Sequence, residues 1–293
     1  MKVNGRVIAC LGAGFVLSVL SGCSSVRTTV SRHRFDTPEV RTNGFAGRLG
    51  LSLERIYEVE VVPSIHATSP TLDSPKIASG ESRVFLNGAL SVSRKVEFFL
   101  KGPTSSGGRL GIKYQFLGVT EDLATHGDFS LSATAASWGI SKSGSREEQF
   151  IGSSRAEVSN ESSSSDFALI AGYRVDDRVL VYGGPFYNTY DFDTHIKQTS
   201  NNNAEYSVGA KGSQVGGNLG VSYVGTSWSL MAEGVYSRLV WHQSKTVSEQ
   251  EWSFGINVTR LFGGASEEDR DKRKEERKKE EGLKSESKGD TSE

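Results

Sequence analysis

The sequence predicts an all-β fold, an antiparallel up-and-down transmembrane β-barrel of about ten strands, with eight and twelve as the neighbouring even counts. Three observations carry that prediction. From Phe45 to Phe262 apolar and polar residues alternate with a period of two, the mark of strands with one apolar face. Short connections alternate with longer, Ser-, Asn- and charge-rich ones, matching barrels with tight periplasmic turns and longer outer loops. Glycine is high at 33 of 293 residues and proline low at 6, and no apolar run reaches the ~20 residues of a membrane-spanning helix.

The strands are read in order. Over 44–61, Phe45, Leu49, Leu51, Leu53, Tyr57, Val59 and Val61 share one face, and Arg48, Ser52, Glu54, Glu58 and Glu60 the other. The split recurs over 82–92 (Val84, Leu86, Gly88, Leu90, Val92) and, after 95–101, over 108–118 (Leu110, Ile112, Tyr114, Phe116). Strands at 127–140, 166–175 (Phe167, Leu169, Ala171, Tyr173), 178–191, 205–223, 227–241 and 251–262 (Trp252, Phe254, Ile256, Val258) complete the set. Ser93-Arg94, Asp176-Asp177 and Val224-Gly225-Thr226 are tight turns, and 119–126 is moderate. The segments 62–81, 141–165, 192–204 and 242–250, with the brief 102–107, form the other end. Most of these strands supply the about 9–11 residues a tilted membrane strand needs, and only a closed barrel leaves no unpaired backbone in lipid. An even count brings both termini to one side. Aromatic girdles are expected at both rims: Phe45, Tyr173, Tyr223, Trp228 and Phe262 on the periplasmic side, and Tyr190, Phe192 and Trp252 on the outer side.

The lumen face carries Arg48, Glu54, Glu58, Glu60, Glu97, Lys101, Lys113, Arg174 and Glu233, a mixture expected to pair into a plug of ion pairs. The formal net charge of −1 gives no global field, which argues against a nucleic-acid partner.

Upstream, Lys2 and Arg6 precede an apolar core from Val7 to Leu20, the form of a secretion signal over residues 1–22. The following Leu20-Ser21-Gly22-Cys23 resembles the lipobox of bacterial lipoproteins. That resemblance implies cleavage before Cys23, attachment of a diacylglyceryl group to its sulfur (palmitate among the acyl chains), and residence in the outer membrane, because Ser24 stands where an inner-membrane retention signal would have aspartate. Cys10 lies in the discarded segment, so no disulfide is expected. Residues 23–43 read as the lipidated N-terminus and a polar tether, 44–262 as the barrel, and 263–293 as a charged tail. In the tail Glu268–Lys272, Asp269–Arg273 and Glu275–Lys279 stand at helical spacing without an apolar face. Both termini are expected in the periplasm, where the tail could meet the cell wall or a periplasmic partner. The last strand, "WSFGINVTRLF", resembles the C-terminal insertion signal of outer-membrane barrels, with the difference that a tail follows Phe262.

Two clusters could carry chemistry. His242 and Ser244, followed by Glu249 and Glu251, have the residue types of a base, a nucleophile and an orienting acid. The His-x-Ser spacing resembles the lipid A 3-O-deacylase barrels, which implies Ser244 as nucleophile, His242 as base and Glu249 or Glu251 as orienter. Asp191, Asp193 and His195 resemble half of the paired site of the omptin proteases, or a weak cation site. No cofactor is expected. The function this supports is an outer-membrane lipoprotein, a monomer held by lipid at Cys23 and by the barrel exterior, with a structural or interaction role through its surface loops. The alternatives are a lipid A acyl hydrolase, a narrow passive pore and a soluble β domain on a lipid anchor.

Overall fold

The computed structural model of the protein describes residues 26–41, 46–61, 63–66, 69–72, 76–102, 109–141, 147–151, 154–198, 205–243, 245–263 and the isolated positions 272, 275 and 279. The signal segment, Cys23, Phe45, Ser244 and almost all of the charged tail lie outside them.

Fourteen strands are described: β1 (Val26–Ser31), β2 (Ala46–Val61), β3 (Pro63–His66), β4 (Ser69–Leu72), β5 (Lys76–Ser91), β6 (Val96–Gly102), β7 (Arg109–Leu117), β8 (Phe129–Ser141), β9 (Glu147–Ile151), β10 (Ser154–Asp176), β11 (Val179–Gln198), β12 (Glu205–Val224), β13 (Trp228–His242) and β14 (Thr246–Phe262). Ten of them, β2, β5 to β8 and β10 to β14, pair antiparallel in chain order, and β14 returns to β2 to close the barrel. The predicted architecture and strand number are therefore the observed ones. β1 and β9 add to the wall, and β3 and β4 form a separate hairpin.

Alternation decides which side chains meet lipid. Leu49, Leu51 and Leu53, Val84 to Val92, Leu110 to Phe116, Phe167 to Tyr173 and Trp252 to Val258 present their apolar members outward, with Phe254 at 76% exposure. Burying the same residues inward would put Arg48, Glu97, Lys113 and Arg174 in lipid, so the register is strongly fixed.

The upper ends differ from expectation. Strands run further than read: β10 starts at Ser154 where a loop was expected over 141–165, and β11 runs to Gln198 beyond the expected end at 191. The serine run Ser162–Ser165 holds strand conformation because it has partners on both sides, Phe192 to Thr189 of β11 and Ile140 to Ser137 of β8. Tertiary pairing overrides the turn propensity of serine there. Tyr190 and Phe192 do not join an outer girdle. They continue the inward series of Leu180, Tyr182 and Phe186, with Tyr190 donating to Gln214 Oε1 at 2.8 Å and Phe192 packing on Trp241 at 4.9 Å. Tyr187, Tyr236 and Trp252 face outward, the last two rings 4.9 Å apart. On β2 an irregularity between Arg55 and Tyr57 flips the face, so Tyr57 and Val59 enter the lumen instead of continuing the outward row of Leu53.

The largest departure concerns the residues read as a polar tether. β14 covers β2 only over Gly47–Glu54; beyond that, β1 fills the edge, pairing Val26 with Val61 and Ser31 with Ile56. β1 therefore descends from the rim of the long connections. The chain then enters the lumen, and residues 32–41 run down it as an irregular, almost wholly buried segment. At its lower end Glu121 N donates to Val40 O at 2.8 Å, in the 118–128 connection. Arg41 Nη2 reaches Gly263 O at 3.1 Å, just past the end of β14. Ala46 and Phe262 thus share the short-turn rim, as an even strand count requires, whereas Val26 stands at the opposite rim.

Candidate functional site

The lumen is the most elaborated part of the molecule, because a buried peptide segment brings its own N–H and C=O groups and each needs a partner. The wall supplies them from charged side chains. Glu233 of β13 accepts from Arg34 N at 2.8 Å and Phe35 N at 3.0 Å. Glu54 of β2 accepts from His33 N at 3.2 Å, and Lys101 of β6 donates to His33 O. Lys113 of β7 donates to Thr37 O at 3.1 Å and Glu39 O at 2.8 Å, and Gln115 accepts from Val40 N at 2.7 Å. The wall charges expected to pair do so in Arg48–Glu97, Lys101–Glu54 and Lys113–Glu97, and they also form a bed for a backbone.

Side chains of the segment complete the network. Arg34 grips Asp166 of β10 through both terminal nitrogens, at 2.6 and 2.5 Å, and Arg109 of β7 shares that carboxylate at 3.0 Å. Glu39 takes a forked ion pair from Arg174 of β10, with Arg174 Nε at 3.0 Å from Oε1. Within the wall, Arg48 binds both oxygens of Glu97, at 3.1 and 2.9 Å. The two-nitrogen forks of Arg34 on Asp166 and of Arg174 on Glu39 are the strong form of the pair, whereas Arg48 reaches both Glu97 oxygens through Nη2 alone. Arg32 lies 3.8 Å over the Tyr57 ring and 3.1 Å from Glu251.

The fit is tight, and two inward glycines make room. A Cβ on Gly172 of β10 would lie 2.6 Å from Pro38 Cγ, and one on Gly255 of β14 would lie 2.9 Å from Phe35 Cζ. Phe35 itself adopts φ of 52°, an uncommon left-handed conformation for a bulky residue, at the bend where its ring stacks on His33 at 5.4 Å. At the short-turn rim Arg41 Nη1 binds Glu121 Oε1 at 2.9 Å and Arg48 approaches Oε2 at 3.5 Å. Burial pushes the Glu121 carboxyl up, but Arg48, Arg41 and Arg174 together outweigh it and hold it below the ordinary carboxylate value.

Above the segment a cavity enclosing about 680 Å³, its mouth included, is lined by Arg32, Arg34, Lys101, Arg109, Asp166 and Tyr190 among others. Its cations are already in ion pairs: Lys101 with Glu54 at 2.8 Å and Arg109 with Asp36 at 2.9 Å, beside the contacts of Arg34 and Arg32.

Among the described residues, the sequence-predicted site residues are not gathered into one site. His242 faces outward on β13, its Nδ1 2.9 Å from Thr246 Oγ1. Glu251 faces the lumen and is engaged by Arg32, Ser79 and Arg55. Glu249 is exposed at the rim, opposite Leu239 in the β13–β14 register, and Ser244 lies outside the described residues. His242 and Glu251 are thus on opposite faces of the wall. Asp191, Asp193 and His195 all face outward along β11, spaced two residues apart, and Asp191 lies 3.8 Å from Lys211. Among the described residues no group of three His, Asp, Glu or Cys converges to hold a metal ion. The residues that sequence reasoning missed are Arg32, His33, Arg34, Asp36, Glu39 and Arg41, together with Asp166 and Glu121 of the wall.

No family model matches the chain, and no curated protein matches it. Among solved structures it is similar to Ail, the attachment invasion locus protein of Yersinia pestis, at 8% identity, covering 75% of this chain and 100% of that chain with a TM-score of 0.31. The barrel itself is established by its hydrogen-bonded closure of β14 on β2.

Proposed function

We propose that the protein is an outer-membrane lipoprotein, acylated at Cys23, whose barrel is a rigid base for polar strand extensions that contact partners at the cell surface. The observation that supports this best is the sharp upper limit of the apolar belt. Phe167, Tyr187 and Val215 are registered neighbours on β10, β11 and β12, all outward and exposed. The next outward row up is Ser165, Thr189 and Ser213, and the one above is Ser163, Asp191, Lys211 and His242. Where β10, β11 and β12 turn polar they leave lipid, and all three continue beyond that level; on the neighbouring β13, Arg238 stands level with Val215 and Val240 level with Ser213. The occupied lumen favours this reading over a passive pore. In this reading the partner is a polar macromolecule, the barrel acts as a monomer without cofactor, and the charged tail meets periplasmic material.

The test replaces the tip of the β11–β12 hairpin, residues 192–210, by a short turn. Surface association of cells carrying the protein should fall while the purified variant still shows the heat-dependent gel shift of a closed barrel. Unchanged association would refute the surface role, and absence of any gel shift in the parent protein would refute the membrane barrel. Metabolic labelling with a palmitate analogue tests Cys23 directly.

A further inference from the structure

We propose that the chain crosses the membrane twice in opposite senses at its beginning, first down the lumen of its own barrel and then up β2, so that the acylated Cys23 is delivered to the cell-surface leaflet. The inference rests on the reading of Cys23 as the lipidated residue. What places it on the surface is the path of residues 26–41.

Val26 pairs with Val61 at the top of β2, and Gly47 pairs with Phe262 at the bottom. The intervening strand, rising about 3.3 Å per residue and tilted about 40°, separates the two levels by about 35 Å. The upper level is the rim of the long connections, and the lower one carries the turns 92–95, 177–178 and 225–227. In membrane barrels short turns are periplasmic and long connections external, and Phe262, Trp228 and Tyr173 form the aromatic girdle expected at the lower rim. Cys23 is three residues before Val26, and three residues span at most about 11 Å. The inner leaflet is therefore out of reach from Val26, whereas the outer leaflet is within it. The charged tail, following Phe262 at the other rim, stays periplasmic.

The segment cannot be regarded as loosely inserted. Its backbone is held by Glu54, Glu233, Lys101, Lys113 and Gln115, and its Arg34 and Glu39 are held by forked pairs from opposite charges of β10. Pulling it through in either direction would drag buried charges past one another. The barrel must close around the segment, with the lipidated end already on the far side.

The experiment labels intact cells with a membrane-impermeant maleimide. An acylated Cys23 has its sulfur in a thioether and does not react, so the parent protein reports on acylation by itself. Ser25→Cys places a thiol beside the lipid, and Ser287→Cys places one in the tail. The expected result is no labelling of the parent protein, labelling of Ser25→Cys in intact cells, and labelling of Ser287→Cys only after the outer membrane is permeabilised. Labelling of Ser25→Cys only after permeabilisation, with the parent still unreactive, overturns the threaded topology and leaves acylation standing. Labelling of the parent protein overturns acylation, and its dependence on permeabilisation still reports which side the segment begins on. Ser287→Cys reactive in intact cells overturns the assigned orientation of the barrel.

Discussion

The Glu233 carboxylate is the joint on which the threaded segment turns, and replacing it by glutamine tests the lumen network at one atom. Its two oxygens each receive a backbone N–H, from Arg34 at 2.8 Å and Phe35 at 3.0 Å, and Oε2 also receives Asn218 Nδ2 at 2.9 Å. Glutamine preserves volume but keeps only one acceptor. Whichever way the amide is placed, its NH₂ faces a backbone N–H, and the remaining bond is no longer charge-assisted. An orphaned buried donor costs about 1–3 kcal/mol, and a bond to a charged group is worth about 1 kcal/mol more than a neutral one, so Glu233→Gln should cost about 2–4 kcal/mol. The assay is urea unfolding of the purified barrel in detergent micelles, reading the midpoint at unchanged slope. Glu251→Gln is the comparison: that carboxylate is at the open end of the lumen with its side chain 27% exposed, and it should lose no more than about 1 kcal/mol. A Glu233→Gln variant within about 0.5 kcal/mol of the parent, the range of ordinary surface substitutions, would refute the claim that this carboxylate holds the segment.

Three further outcomes follow from the same geometry. Deleting residues 26–41 should convert a closed barrel into one that passes ions in planar bilayers; silence of the deletion variant, once its heat-dependent gel shift shows a folded barrel, would mean the wall alone closes the lumen. Gly172→Val should destabilise by about 1–3 kcal/mol through overpacking against Pro38, whereas Gly88→Ala, whose added carbon would sit 3.5 Å from Leu49 Cδ1, should be tolerated; equal midpoints in urea for the two would contradict the tight fit. Glu121 has its folded-state pKa below the ordinary 4.5, so its contribution is full above that value and is lost as pH falls through it toward the folded-state pKa. The stability gap between the parent and Glu121→Gln should accordingly be widest near neutral pH and narrow below about pH 4.5, and a gap independent of pH would sink the assignment.

How far these features could be read from sequence depends on what each residue faces. The membrane strands were legible because lipid on one side and charge on the other force strict alternation, as in Leu49 to Glu54 or Trp252 to Val258. The strand ends were not. Above the lipid both faces of β10 and β11 meet water or polar lumen, so "ESSSSD" loses its period and reads as a loop although it is paired on both sides. Tyr190 and Phe192 misled for a related reason: aromatic type suggested a girdle, whereas parity with Leu180, Tyr182 and Phe186 placed them inward. Parity also separates two described members of the candidate catalytic cluster, since His242 and Glu251 are opposite-facing positions of adjacent strands.

The segment "RHRFDTPEVR" was opaque for a deeper reason. A peptide enclosed on all sides has no apolar face, and its partners come from strands scattered along the chain, so neither period nor spacing marks it. The trace it leaves is in the wall. Among the described residues Glu233 faces no wall cation at ion-pair distance; its partners are two N–H groups of the segment, His33 at 3.5 Å, and the neutral Asn218 and Tyr182. Arg174 binds Glu39 of the segment with a side chain 0% exposed. A barrel folded without the segment would hold these two charges without their segment partners, leaving water and the wall groups Asp177 O, Asn218 and Tyr182 to solvate them. Wall and segment therefore specify each other, and an empty closed barrel is not a low-energy precursor to which residues 32–41 are added later. The native order is closure around the segment, which makes the position of the chain's beginning a consequence of folding, fixed once the barrel has closed.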